Sequence, residues 1–328
     1  MSSKKIIGKA ACAALAMALS SSCIAAANDA AFPQKQIEII VTFPPGGGTD
    51  MLARLIGNYL TQDLGQTVIV ENRPGASGNV GARIISERAP DGYSLLIANS
   101  SYAINPAVFS NMPFDPKKDL SGVVNFAYVP SVLIVPADSP YKTLGDLVKA
   151  ATPASNPTFF GSCGNGTPQH LAGELLNIAA KTHIAHVPYK GCGPALNDVL
   201  GNQVTSAIVT ASSAIPHIKA GKVRALGVTA KERSQFLPDV PTVAEQGYPG
   251  YELNQWHGFL VPARTPDAVK EKLYAAVAKV MKREDVQKKL AGLGYSIAND
   301  GPAAFDAIVQ NDIDRFTKLA KEINLNMN

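Results

Sequence analysis

Residues 37–41, Ile-Glu-Ile-Ile-Val, form a short β-branched apolar run of the kind that makes a buried strand. Beyond a polar and glycine-rich break, Leu52, Leu55, Ile56, Tyr59 and Leu60 recur at i, i+3, i+4, i+7 and i+8. That is the spacing of one buried helix face. The alternation continues with a strand at 67–70, a helix at 80–88 with Ile84 and Ile85 inward, and a strand at 94–98. Short links between strand and helix predict parallel pairing with right-handed crossovers. A second set follows. It has a strand at 132–135, a helix capped by Thr143, a strand at 158–160, and a helix that opens on Pro168, where a missing N–H costs little. Further strands are predicted at 184–189, 204–209 and 224–228, with helices ending near Leu200 and Ala220 between them. Residues 248–259 show no clear period and read as a return crossing. The helical patterns at 266–281 and 302–322 then pack back on the first set.

The break after the first strand reads Thr42-Phe43-Pro44-Pro45-Gly46-Gly47-Gly48-Thr49-Asp50. Glycines permit a tight turn and close approach of a ligand to the main chain. The unpaired N–H groups and positive dipole end of the following helix favour an anion. The plainer reading is a helix start capped by Thr49 or Asp50 with no ligand. The loop is neither a Walker A nor a Gly-x-Gly-x-x-Gly fingerprint. Residues 161–167, Gly-Ser-Cys-Gly-Asn-Gly-Thr, repeat the strand, glycine loop and helix arrangement in the second set. Asn99, Ser100 and Ser101 follow the third strand, and Thr210 to Ser213 follow a strand of the second set. Two such halves place their loops towards a shared crevice, where open α/β sheets bind ligands. Two crossings between lobes suggest hinge closure. The expected division is 32–131 with 252–328 for one lobe and 132–251 for the other.

Charge and cysteine content change the picture at the N-terminus. Lys4, Lys5 and Lys9 precede a short apolar run, and Ala25-Ala26-Ala27 offers a small-residue cleavage site. Residues 1–27 are expected to be a secretory signal peptide, too short for a membrane span. Cys23 raises a lipoprotein anchor, but Ser20 stands where a lipobox needs a large aliphatic residue. The segment carries three lysines and no acid, so the formal charge of +4 falls to +1 without it. No basic tract remains to suggest nucleic acid, and periplasmic release is expected. Cys163 and Cys192 survive processing, in a compartment that permits a disulfide.

Five motifs occur in order. They are 43–50; Val70-Glu71-Asn72-Arg73-Pro74-Gly75-Ala76-Ser77-Gly78; 161–167 with His170; His186-Val187-Pro188-Tyr189-Lys190-Gly191 through Leu196; and 216–226. Together they resemble the signatures of the Bug (TctC-like) extracytoplasmic solute-binding proteins. The resemblance implies a type II periplasmic binding-protein fold, α/β in both lobes. It implies a ligand carboxylate held by backbone N–H groups of the first loop and by hydroxyls of the other lobe, for delivery to a tripartite transporter. Some relatives would serve instead as receptors for a membrane sensor kinase. Carried over by position, it points to Gly47, Gly48, Thr49 and Asp50, and to Ser162, Gly164, Asn165 and Thr167. Phe43, Ser100, His170, Tyr189, Thr210 and Ser212 complete the candidate ligand set. His170 could also pack on its own loop. Tyr102, Phe160, Tyr189 and Trp256 are as readily packing groups as stacking platforms. Arg73 suits either a carboxylate clamp or a structural ion pair.

The chain departs from that pattern at Thr205, where many members have aspartate, at Thr210-Ala211, often a polar pair, and at two small positions that are Cys163 and Cys192. The lack of acid there argues against an amino-acid ligand, whose ammonium wants a charged partner. The ligand class expected is a dicarboxylate or aromatic carboxylate. No nucleophile with an oriented base is visible, and no histidine pair has metal-ligand spacing, so neither catalysis, metal nor cofactor is expected. The protein is expected to act as a monomer with transporter subunits as partners. Both cysteines follow neighbouring parallel strands about 4.8 Å apart, a spacing that suits a Cys163–Cys192 disulfide. Thiol titration of the denatured, unreduced mature chain checks the pairing: no free thiol is expected, and two would exclude it.

Overall fold

The computed structural model describes residues 32–152 and 157–322; the expected signal segment and Cys23 lie outside them. Among the described residues, ten strands form one sheet. Strand β1 (Ile37–Val41) is flanked by β2 (Val68–Asn72) and β3 (Ser94–Asn99), both parallel to it. Helix α1 (Gly48–Leu64) follows β1 and α2 (Asn79–Ser86) follows β2. A short helix, α3 (Ser101–Val108), leaves β3. The polar Asn99-Ser100-Ser101 run that leads into it hid it from the periodicity.

Strand β4 (Leu120–Pro136) runs through both halves of the sheet. Its residues 120–130 pair antiparallel with β9 (Asn254–Pro262), and residues 131–136 pair with β7 (Ser206–Thr210) and β8 (Val223–Val228). The sequence suggested a strand only at 132–135. All but one of the seventeen residues of β4 are buried, on both faces. Such a strand has no alternation to detect. The same explains β9. Residues 248–259 read as an aperiodic crossing, yet 254–262 form a buried strand between β3 and β4. Strand β10 (Ser296–Asp300), which pairs with β4, was also not foreseen.

In the second half, β5 (Thr158–Ser162) lies between β6 (Ile184–Pro188) and β7, parallel to both. Helix α4 (Leu144–Ala151) starts on a reciprocal cap between Thr143 and Asp146. Helices α5 (Pro168–Ala180), α6 (Cys192–Leu200) and α7 (Ala211–Lys219) each follow a strand. The chain closes with α8 (Asp267–Met281), α9 (Glu284–Gly292) and α10 (Pro302–Glu322). Among the described residues no helix is long and apolar enough to cross a membrane.

The core lies on both faces of the sheet. Leu52, Ile56 and Leu60 of α1 pack with Ile37, Ile39 and Leu273. Each such fully buried side chain contributes about 2 kcal/mol. On the opposite face α10 lays Phe305, Val309, Ile313 and Phe316 against Ile40, Leu96 and Trp256. Phe305 sits directly over Gly258. A Cβ there would fall on its ring and within 2.6 Å of the Val124 carbonyl. Gly258→Ala is expected to destabilise by about 2–3 kcal/mol through overpacking. Denaturant unfolding reads this as a lower midpoint at unchanged slope.

Candidate functional site

Three helices begin at one cleft without a side-chain cap. They are α1 after Gly47, α6 after Gly191 and α7 after Thr210. The first-turn N–H groups of a helix have no partner within it, and its dipole adds positive potential there. Residues 46–49, 191–194, Thr210, Ser212 and Ser213 line a cavity of about 390 Å³. Its floor is Asn99, Gln169, Gln255 and His257. Among the described residues, Lys190, exposed at the rim, is its one Lys or Arg, and no acid lines it.

The first loop is shaped from behind. Asp50 is buried, and its Oδ2 accepts the Gly46 N–H at 2.9 Å. Asn72 Nδ2 donates to Asp50 Oδ1 at 2.9 Å and to the Phe43 carbonyl at 3.0 Å, and Arg54 pairs with the same carboxylate. Burial alone would raise the Asp50 pKa, but the bonds from Arg54, Gly46 and Asn72 outweigh it and hold the carboxylate below its ordinary range. Gly48 is the point of closest approach. A Cβ there would fall on the Tyr295 hydroxyl and 2.9 Å from Ser212 Oγ. The Tyr295 hydroxyl donates to Ser212 Oγ at 3.3 Å, and Ser212 donates on to Thr210 Oγ1 at 3.1 Å.

A second cavity of about 570 Å³ adjoins the first through Phe43, Pro44, Cys163, Lys190 and Gly191. Its other walls include Gly75, Ala76 and Ser77, Gly164 and Asn165, and Tyr189. Ala76 and Ser77 adopt positive φ values of 45° and 52°, and the Ser77 hydroxyl donates to the Asn165 carbonyl. Cys163 and Cys192 line the first cavity and are disulfide-bonded, with Cα atoms 4.3 Å apart.

Of the candidate ligand residues, Phe43, Gly47, Gly48, Thr49, Thr210 and Ser212 line the first cavity. Phe43, Gly164, Asn165 and Tyr189 line the second. Asp50, Ser100, Ser162, Thr167 and His170 line neither. Ser100 Oγ accepts the Trp256 N–H at 3.0 Å. Ser162 Oγ is 2.6 Å from His186 Nε2 and accepts the Gly164 N–H. Thr167 caps α5, and His170 Nδ1 accepts the Gly166 N–H at 3.3 Å. The Tyr189 hydroxyl donates to Asp198 at 2.6 Å, while Tyr102, Phe160 and Trp256 are packed in the core. Arg73 is half-exposed and pairs with Glu71 at 2.5 Å. Gln169, Lys190, Gly191, Gly193, Gln255 and His257 were missed as site residues. The glycine-flanked helix start at 191–194 carried the same signal as the first loop. Gln255 and His257 sat in the stretch with no period.

A family profile described as "Tripartite tricarboxylate transporter family receptor" matches residues 52–325. The chain belongs to this TctC family. It is 37% identical over 317 residues to the UPF0065 protein in the tcbD-tcbE intergenic region of Pseudomonas sp. strain P51, covering 96% of this chain and 94% of that one. The structure of the periplasmic binding protein BugD superposes with a TM-score of 0.84 at 30% identity, over 90% of this chain and 99% of that one. Rhodopseudomonas palustris Rpa4515 with adipate superposes with a TM-score of 0.85 at 33% identity, over 90% and 99%. The Bug resemblance and the periplasmic binding-protein fold expected from the motifs therefore hold. TctC proteins are extracytoplasmic binding proteins, so this chain binds a solute and is not an enzyme.

Three histidines near the TctC cleft stay neutral. Burial lowers His170 to about 4 and His257 to about 3; burial and the neighbouring His170 lower His186 to about 3. His170 and His186 stack with centroids 3.9 Å apart. In the unfolded chain each histidine takes its proton near pH 6.5. The folded state is then the poorer proton acceptor, so this contribution is complete above pH 6.5 and is lost as pH falls from there towards 4 for His170 and towards 3 for His186 and His257. The slope is at most about 1.4 kcal/mol per pH unit for each histidine. Denaturant unfolding between pH 7.5 and 4.5 is expected to show a plateau and then a fall, and His186→Phe to flatten that fall.

Proposed function

We propose that this protein captures a small organic carboxylate in the 390 Å³ cavity and delivers it to a tripartite membrane transporter. The observation that carries the reading is the meeting of three uncapped helix N-termini in a cavity bordered by Lys190 and by no acid. Such a site favours an anion and needs no catalytic base. On this reading Gly47, Gly48 and Thr49 bind a carboxylate through first-turn N–H groups, and Thr210 and Ser212 add hydroxyls. A dicarboxylate or aromatic carboxylate fits best, and the adipate held by a relative supports the first of these. The lobes are 32–131 with 252–328, and 132–251, closing on the ligand as a monomer. Residues 1–27 direct export to the periplasm and are removed.

Thermal-shift screening of the mature protein tests this against aliphatic and aromatic dicarboxylates, monocarboxylates, amino acids and uncharged analogues. A binder at one hundred times its Kd adds about 2.7 kcal/mol. That is a rise of roughly 4 °C for a chain of this size. A shift confined to acids and abolished by amidation is the expected result. Equal shifts with the amides, or none with any acid, would refute carboxylate capture.

A further inference from the structure

The floor of the cavity carries a feature that anion capture at the helix termini does not use. Strand alternation puts Gln255 and His257 on one face of β9. Trp256 points the other way, packs on Phe305 and donates from Nε1 to Asp312 at 3.0 Å. Gln255 and His257 are each 1% exposed, and both line the cavity. Gln169 Nε2 donates to Ser131 Oγ at 2.8 Å and to Gln255 Oε1 at 3.2 Å. That bond fixes the Gln255 amide with its oxygen engaged and its nitrogen without a partner among the described residues. His257 Nε2 is 3.4 Å from Thr49 Oγ1, and its Nδ1 likewise has no partner among them. Buried polar nitrogens are rarely left unpaired.

We propose that Gln255 and His257 form a neutral, hydrogen-donating end wall that reads an acceptor oxygen on the ligand's second polar group and rejects a cationic one. This rests on the carboxylate reading of the cavity. The Gln255 amide nitrogen can only donate. The neutral imidazole adapts: when the Thr49 hydroxyl donates to Nε2, Nδ1 carries the hydrogen and donates as well. A carboxylate, which only accepts, suits both nitrogens as donors. An ammonium finds no charged partner, because no acid lines the cavity and Gln255 Oε1 is already engaged. The ligand class is therefore an acid whose far end is a second carboxylate or another oxygen acceptor.

Calorimetric titration with linear dicarboxylates of four to eight carbons, hexanoate and 6-aminohexanoate tests the inference on wild type, Gln255→Met, Gln255→Glu and His257→Phe. Wild type is expected to bind a dicarboxylate at least tenfold more tightly than hexanoate, and 6-aminohexanoate more weakly than either. Gln255→Met should lower dicarboxylate affinity about tenfold and leave hexanoate within twofold, and His257→Phe, which also removes the partner of Thr49, should lower dicarboxylate affinity at least tenfold. Gln255→Glu should reverse the order of dicarboxylate and 6-aminohexanoate. Retained hexanoate binding shows that a variant is folded. Equal losses of dicarboxylate and hexanoate binding in Gln255→Met, or no dicarboxylate loss in Gln255→Met or in His257→Phe, would overturn the end wall alone. Failure of wild type to bind any of these acids would overturn the carboxylate reading and the wall with it.

Discussion

The buried carboxylate of Asp50 is the constraint on which the cleft depends. It collects the Gly46 N–H, the Arg54 guanidinium and the Asn72 amide on the far side of the first loop. Hydrogen bonds to a charged group contribute about 1.5–3 kcal/mol each, so the loop is held in shape before any ligand arrives. An acid in the first turn of a helix is also favoured by the dipole. The arrangement separates two roles that would otherwise conflict. The negative charge lies behind the loop, while Gly48 and Thr49, in the uncapped first turn of α1, line the cleft. Asn72 extends the same network to the end of β2 and to the Phe43 carbonyl, so the first two signature motifs form one structural unit.

What could be read from the sequence divides along physical lines. Helix α1 was plain because one of its faces is buried and the other wet. Strands β4 and β9 were not, because burial on both faces removes the alternation that marks a strand. The site divides in the same way. The first glycine loop lines the cleft as its composition suggested. The loop at 161–167 has a similar composition, but its hydroxyls serve the loop itself. Ser162 is engaged with His186 and Gly164, and Thr167 caps the helix that follows. No local pattern distinguishes a hydroxyl that faces a ligand from one that satisfies its own backbone. That distinction depends on the stacked His170–His186 pair, brought together from different elements. Gln255 and His257 were invisible for a related reason: a polar residue inside a buried strand has no meaning until the cavity beside it is known.

The disulfide belongs to the same geometry. Cys192 is the first residue of α6, and Cys163 follows β5, whose neighbour β6 leads into that helix. The bond therefore ties a cleft-facing helix N-terminus to the loop beside it. Both cysteines border the 390 Å³ cavity, and Cys163 also borders the 570 Å³ one. A crosslink there limits how far the two walls can separate. It complements the non-covalent restraint on the first loop, where Gly48 packs without a side chain against Tyr295 and Ser212.

Lys190 and the helix termini differ in how they act on an anion. Lys190 is exposed at the rim, in water, where charges are screened over about 8 Å at physiological salt. An exposed charge of this kind acts mainly on the rate of encounter. The N–H groups of α1, α6 and α7 are fixed in the scaffold and act at hydrogen-bond range, where salt has little effect. They carry no net charge, so they recognise the direction and shape of an oxygen more than its charge alone. A buried lysine or arginine would bind many anions strongly and would have to be desolvated first. Neutral donors on a rigid frame avoid that cost.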